Sequence, residues 1–260
     1  YFCSTILNNN LFFVANETNT YNGTGEIWKT DGTLLGTTLV TNFNGRIYGL
    51  TTVGDFIFYV IKTSENIMQV WKTDGTLLGT QLVKNEILVW NYPSFQGSVN
   101  NKFIFTQQLP SSEYSKIWRS DGTELGTYPM TGPIDGNGSG NGSTSNLSQY
   151  IVYNNNLYFV SRFHLYNSDG TTANTVVPVW NAQNELVNFS DVIELNNKLY
   201  FSFFSKDLKK LSIYKSDGTS NGTSVIYSVS NSQYFYPSYF NKVGSNLLFS
   251  SVNSTNGTSL

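Results

Sequence analysis

Six short runs of this chain are dense in apolar residues: LFFVA from Leu11, FIFYV from Phe56, FIFTQ from Phe103, LYFVS from Leu157, LYFSF from Leu199 and LLFSS from Leu247. Their third position is always phenylalanine: Phe13, Phe58, Phe105, Phe159, Phe201 and Phe249. The runs lack polar/apolar alternation, so they read as strands buried on both faces. Each follows a turn pair, such as Asn9-Asn10, Gly54-Asp55, Asn155-Asn156 or Asn197-Lys198. Asn, Asp and Gly tolerate the positive φ that a tight hairpin needs. Ahead of each pair lies another strand-like run, for example YGLTTV at Tyr48 or QYIVYN at Gln149.

Between these hairpins a second element recurs. WKTDGTLLGT stands at Trp28–Thr37 and, letter for letter, at Trp71–Thr80. Weaker copies are IWRSDGTELGTYPM from Ile117, LYNSDGTTANTVVP from Leu165 and IYKSDGTSNGTSVI from Ile213. The aspartates Asp31, Asp74, Asp121, Asp169 and Asp217 recur every 43 to 48 residues. Asp-Gly between two strands is a strong hairpin signal. The pairs Asp31-Gly32, Asp74-Gly75, Asp121-Gly122, Asp169-Gly170 and Asp217-Gly218 are therefore expected to build structural turns. In such a turn the carboxylate accepts hydrogen bonds from its own loop. One carboxylate per loop is too few for a hard cation, so neither a metal nor a cofactor is expected.

Each unit then reads as four antiparallel strands, A to D, in about 45 residues, which is the period of a propeller blade. The expected fold is all-β: one six-bladed propeller over residues 1–260, with blades near 1–43, 44–86, 87–131, 132–179, 180–227 and 228–260. The sixth has its A and B strands but no complete C–D hairpin. Three explanations stand open: the polypeptide continues beyond these 260 residues, the sixth blade is tolerated incomplete, or a neighbouring chain supplies what is missing, since an unpaired edge is a template for strand addition. Head-to-tail addition of that kind generates rings or filaments.

The segments EIWKTDGT at Glu26, QVWKTDGT at Gln69 and KIWRSDGT at Lys116 resemble the ELWxxDGT repeat. That family comprises large secreted or surface proteins, mostly bacterial, in which propellers are expected. The resemblance implies an extracellular or cell-surface location and says little about activity. In the last two copies of the turn, Tyr replaces Trp.

Composition narrows the partners. Net charge is -2 and 12% of residues are charged. No basic stripe offers itself to nucleic acid. No apolar run approaches the ~18–20 residues of a membrane span. The single cysteine, Cys3, excludes an internal disulfide. Nine glycosylation sequons begin at Asn16, Asn22, Asn137, Asn141, Asn146, Asn188, Asn221, Asn253 and Asn256. Chance alone gives about 7 in so Asn-rich a chain, so their placement in connectors carries more weight than their number.

Catalysis is not expected. The arginines Arg46, Arg119 and Arg162 form no cluster in sequence, and Arg119 holds the Lys slot of the repeated turn. The notable acids outside the turns, Asp55, Asp135, Glu185, Asp191 and Glu194, show no pairing of the glycosidase kind. His164 has no recognisable Ser or Cys partner. The leading expectation is a non-catalytic extracellular structural or assembly protein that associates with itself or with another extracellular protein. The alternative is a carbohydrate- or protein-binding propeller. It would stack glycans on Trp90, Tyr92, Trp180, Tyr234 and Tyr236 in the irregular connectors, where loop variation on a rigid scaffold carries function.

Overall fold

The computed structural model describes residues 3–16, 24–63, 67–88, 96–108, 114–130, 144–145, 150–161, 164–171, 177–181, 187–205, 210–230, 240–249, 251–253 and 257–259. These residues are all-β, with no helix among them. The first sheet is β1 (Ser4–Leu7), β2 (Asn10–Asn16), β3 (Thr24–Thr30) and β4 (Thr38–Asn44). The second is β5 (Arg46–Val53), β6 (Phe56–Lys62), β7 (Ile67–Thr73) and β8 (Gln81–Leu88). The third is β9 (Gln96–Val99), β10 (Lys102–Gln108), β11 (Tyr114–Ser120) and β12 (Tyr128–Pro129). After the two-residue β13 (Thr144–Ser145), the fourth is β14 (Tyr150–Tyr153), β15 (Asn156–Ser161), β16 (His164–Ser168) and β17 (Val177–Asn181). The fifth is β18 (Val187–Leu195), β19 (Lys198–Ser205), β20 (Lys210–Ser216) and β21 (Ser224–Ser230). In every one, neighbours in sequence are antiparallel neighbours in the sheet. Two separate pairs follow, β22 (Asn241–Val243) with β23 (Asn246–Leu248), and β24 (Ser251–Asn253) with β25 (Gly257–Ser259).

The chain divides into two compact units. The first holds Tyr1–Thr131 with Gly170–Ala173, and the second holds Gly132–Asp169 with Asn174–Leu260. The core of the first unit gathers Ile57, Phe58, Tyr59, Val60 and Ile61 of β6 with Phe103, Ile104 and Phe105 of β10, all buried. A strand covered on both faces has no use for alternation, which is why these runs are apolar throughout. The core of the second unit includes Tyr153, Tyr158, Leu165, Leu199 and Phe201.

Two details differ from the sequence reading, both by one residue. The first-hairpin turns are Asn8-Asn9, Asn154-Asn155 and Asn196-Asn197, each residue at positive φ between 45° and 60°. One further strand residue, such as Asn10, separates the turn from the apolar run. In β6 the equivalent of Phe13, Phe105, Phe159 and Phe201 is consequently Tyr59, not Phe58. Those residues stand opposite Trp28, Trp118, Tyr166 and Tyr214, and Tyr59 stands opposite Trp71. A one-residue slip exchanges the faces of a strand, so Phe58 points to the side that Phe12 occupies in β2.

Cross-strand rings fill this row. Phe105 stacks on Trp118 at 5.9 Å, Phe159 on Tyr166 at 5.4 Å and Phe201 on Tyr214 at 5.3 Å. Tyr59 instead meets Phe43 at 5.8 Å. Its hydroxyl is buried without a hydrogen-bond partner, and burial pushes its pKa far above the ordinary tyrosine value. An orphaned buried hydroxyl costs about 1–3 kcal/mol, and the other sheets place phenylalanine at this point. Tyr59→Phe is expected to raise the unfolding free energy by about 1 kcal/mol. Urea unfolding of the two proteins checks this, and an equal or lower midpoint for the variant contradicts it.

Candidate functional site

The repeated turn is the most regular chemistry on the molecule. In the first sheet the Thr33 amide and hydroxyl both donate to Asp31 Oδ1, at 2.9 and 2.8 Å. The Thr33 hydroxyl oxygen accepts from the Gly36 amide at 2.9 Å, and the Thr37 hydroxyl donates to the Thr33 carbonyl at 2.7 Å. Thr30 closes the base: its hydroxyl oxygen accepts from the Gly32 amide and lies 2.7 Å from the Thr37 hydroxyl. The same bonds recur around Asp74, Asp121 and Asp217. They turn the polar side-chain and backbone groups of the loop inward, onto one another.

Glycine enters for two reasons. Gly32, Gly75, Gly122 and Gly218 hold φ between 88° and 94°, a region that side-chain-bearing residues rarely enter. At Gly36, Gly79, Gly126 and Gly222 the constraint is space, because an added Cβ would fall on the aspartate carboxylate. The fourth sheet departs from this pattern. Asn174 stands at the second glycine position, and Gly170 adopts φ 68°.

The letters flanking the aspartate also have physical roles that the sequence reading missed. Glu26 and Gln69, two residues before the tryptophan, accept the indole N–H of Trp28 and Trp71 at 2.8 and 3.0 Å. In the third sheet Lys116 holds that position, and the Trp118 indole donates across the strand pair to Gln107 at 2.7 Å. The lysine after the tryptophan reaches the next turn in the unit. Lys29 Nζ donates to the Gly75 carbonyl at 3.3 Å and Lys72 Nζ to the Gly122 carbonyl at 2.9 Å. Arg119, in the same slot, donates to the Thr171 carbonyl. In the second unit Asn167 takes the slot and hydrogen-bonds the hydroxyl of Tyr158, which lies against Gly218. A strand pair with a cation two residues before Asp-Gly is the signal that could have revealed this clasp.

The electrostatics follow from the same bonds. The Thr33 amide, then its hydroxyl, hold the Asp31 carboxyl below the usual carboxylate range. The Thr76 and Thr219 hydroxyls, then their amides, do so for Asp74 and Asp217. At Asp121 burial pulls upward but is outweighed by the Thr123 hydroxyl and amide, with Lys102 and Arg119 nearby. Glu194 is held low by Lys242 at 2.8 Å and by the Asn197 amide.

The turn tips carry a different chemistry. Leu34, Leu35, Leu78 and Leu125 are more than nine-tenths exposed, and Leu77 is 68% exposed. The irregular connectors contribute less that can be placed. Trp90, Tyr92, Tyr234 and Tyr236 lie outside the described residues, as do Asn22, Asn137, Asn141, Asn146 and Asn256. Trp180 belongs to β17, opposite Leu165. Among the sequons, Asn16 ends β2, Asn188 lies within β18 and Asn253 ends β24, so these three start on strands and not in connectors. Asn221 is exposed in the turn after Asp217. Asp169 directly follows β16. Among the described residues no group of three or more His, Cys, Asp or Glu side chains is placed to share a metal ion.

No family model matches the chain, and no curated protein matches it either. Solved structures share its fold. One comes from a study of two prolyl endopeptidases, with TM-score 0.56 and 11% identity over 96% of this chain and 39% of that one. Another is prolyl oligopeptidase B from Galerina marginata, with TM-score 0.54 and 9% identity over 95% and 38%. A third is the Synechocystis apocarotenoid oxygenase, with TM-score 0.52 and 11% identity over 88% and 60%. The chain spans less than two thirds of each. The likeness is one of fold alone: a propeller-like succession of antiparallel sheets.

Two outcomes follow from the turn. Gly79→Ala should displace the Asp74 carboxylate and lose hydrogen bonds to a charged group, at a cost of about 1.5–3 kcal/mol. A thermal or urea transition unchanged from the parent contradicts that. The aspartate pKa values are lower folded than unfolded, where ~3.9 is usual. Their stabilisation is therefore full above that value and lost as pH falls through the depressed folded values. The urea midpoint should be flat from neutral pH to about 5 and fall steeply below about 4. A midpoint insensitive to acid would remove the carboxylates from the account.

Proposed function

We propose that the chain is a six-bladed β-propeller of four-stranded blades that serves as a non-catalytic extracellular structural subunit. It assembles when a neighbouring chain completes the sixth blade. The observation that carries this reading is the contrast between repeats. In five of them four consecutive strands pair in order within one continuous sheet, whereas among the described residues the sixth forms two separate pairs, β22–β23 and β24–β25. Contacts of β22–β23 with the fifth first hairpin support a sixth unit: Lys242 meets Glu194 at 2.8 Å and the Asn196 side chain donates to the Ser245 carbonyl at 3.1 Å. Unpaired strand edges of that kind accept strands from other chains.

Two further features support the reading. The turn carboxylates are consumed by their own loops, as scaffold residues are. The DGT segments resemble the repeats of secreted and surface proteins. The partner is then a second copy, joined head to tail, or another extracellular protein, with glycans on exposed sequons such as Asn221. Electron microscopy with sedimentation and intact mass on purified protein tests it. Rings or filaments joined at the sixth blade are expected. A strictly monomeric species at high concentration overturns the proposal, as does turnover of a glycan or ester panel that one point substitution abolishes.

A further inference from the structure

We infer that the first sheet of one copy docks on the fifth sheet of a second, with the Asp31-Gly32 turn of the one held by Tyr200 and Lys215 of the other. This rests on the head-to-tail reading above and names its surfaces, but the contact is face to face and needs no strand added at the sixth blade. The chain itself shows what covers surfaces of these two kinds. Phe12, Phe58, Ile104 and Tyr158 hold equivalent places in β2, β6, β10 and β15. They lie against Gly75, Gly122, Gly170 and Gly218, each in the next turn along the sequence. All four are buried, at 0–4% exposure. Lys29, Lys72 and Arg119 each add a bond to a carbonyl of the same turn.

Both ends of this series are left over. Tyr200 stands in β19 where Phe12 stands in β2, at the same distance from the hairpin turn, and Lys215 stands where Lys29 does. Among the described residues no turn meets either of them. Tyr200 is only half-buried, and the half-buried Lys215 has no hydrogen bond or ion pair. The first sheet lacks the opposite partner. Nothing lies within 4 Å of where a Cβ on Gly32 would stand, whereas the other four turn glycines are covered. Phe13 is half-buried, but Tyr59, Phe105, Phe159 and Phe201 at its position are all at 0% exposure. Thr30 is likewise half-buried where Thr73 and Ser216 are fully buried.

The occupant follows from these precedents. The open face of the first sheet calls for a bulky side chain and a cation spaced as in β2 and β3. Tyr200 with Lys215 is such a pair, and no described turn engages it. Leu248 takes the Phe12 place in β23, but β24 brings no cation beside it. β22–β23 bonds the fifth sheet at Glu194 and Asn196, and neither Tyr200 nor Lys215 takes part. Charge agrees. After the Thr76 hydroxyl and amide, Lys29 adds to the lowering of the Asp74 carboxyl, whereas only bonds of its own loop lower Asp31. Lys215 of a second copy supplies the missing cation. Two unlike faces make a heterologous contact, so copies add head to tail.

The test uses full chains carrying Cys3→Ser. Leu34→Cys in one and Ser220→Cys in another mark exposed tips of the first and fifth turns. A bis-maleimide that bridges residues 34 and 78, both made cysteine in one chain, is the ruler for adjacent turns. Mixing the two marked chains should give a 34-to-220 product, with little from either chain alone. Lys215→Glu should weaken association by about tenfold or more, with the circular dichroism spectrum unchanged, and Lys215→Arg should retain it. A monomer at high micromolar concentration overturns the inference. So does a mixture without the 34-to-220 product, or an association that Lys215→Glu leaves intact. Leu247→Pro separates the two proposals, because it removes a β23 donor facing away from β22 that strand addition at the sixth blade needs. Assembly lost with Lys215→Glu alone upholds this contact and sinks strand addition. Assembly lost with Leu247→Pro alone does the reverse.

Discussion

A carboxylate folded back onto its own loop governs this structure. Asp31 Oδ1 takes two hydrogen bonds from Thr33, and the Thr30 and Thr37 hydroxyls lock the base of the same turn. With those bonds in place, the chain leaves β3 and enters β4 along one fixed path. The carbonyl of the second turn residue is then held out for the cation of the preceding sheet. Lys29 meets Gly75 this way, and Lys72 meets Gly122. Turn geometry and sheet spacing are thus set by one network, repeated. That coupling explains why the motif extends beyond Asp-Gly to a tryptophan, a cation and a second glycine.

The apolar side of the same design is a row of rings. Each second strand places an aromatic side chain opposite the tryptophan or tyrosine of the third. Offset ring contacts of this kind add about 0.5–1.5 kcal/mol each beyond area burial. The acceptors Glu26, Gln69 and Gln107 satisfy the half-buried indoles without breaking the row. Tyr59 is the one described member whose polar atom finds nothing.

Much of this was legible in the sequence. The apolar runs marked the inner strands because burial on both faces abolishes alternation, and Asp-Gly marked the outer hairpins because few other pairs adopt that turn. What failed was register. Letter matching aligned Phe58 with Phe13 because both end an x-x-Phe run. Hydrogen bonding aligned Tyr59 instead, because Ile57 stands opposite Thr73 as Leu11 stands opposite Thr30. The Asn8 and Asn154 turns were misplaced for the same reason: three consecutive asparagines offer two equally good turns, and the ladder chooses. The cation of the lysine clasp was visible two residues before Asp-Gly, but its partner was not: it is a backbone carbonyl 46 residues away, and a carbonyl has no letter. Phe13 looked like Phe105, Phe159 and Phe201 until their burial could be compared.

The leucines at the turn tips complete the account of the motif. The side chains of Leu34, Leu35, Leu78 and Leu125 face water almost entirely, and the turn takes from such positions only a backbone carbonyl, as where Leu34 accepts from the Thr37 amide. The turn's own hydrogen bonds therefore use no side chain of the two residues between threonine and the second glycine, and the fifth turn accordingly carries Ser220 and Asn221 there. Selection for stability cannot see these positions. They are blank places on an otherwise fully written repeat, two to a turn, where a lineage could change what the surface presents without disturbing the scaffold beneath.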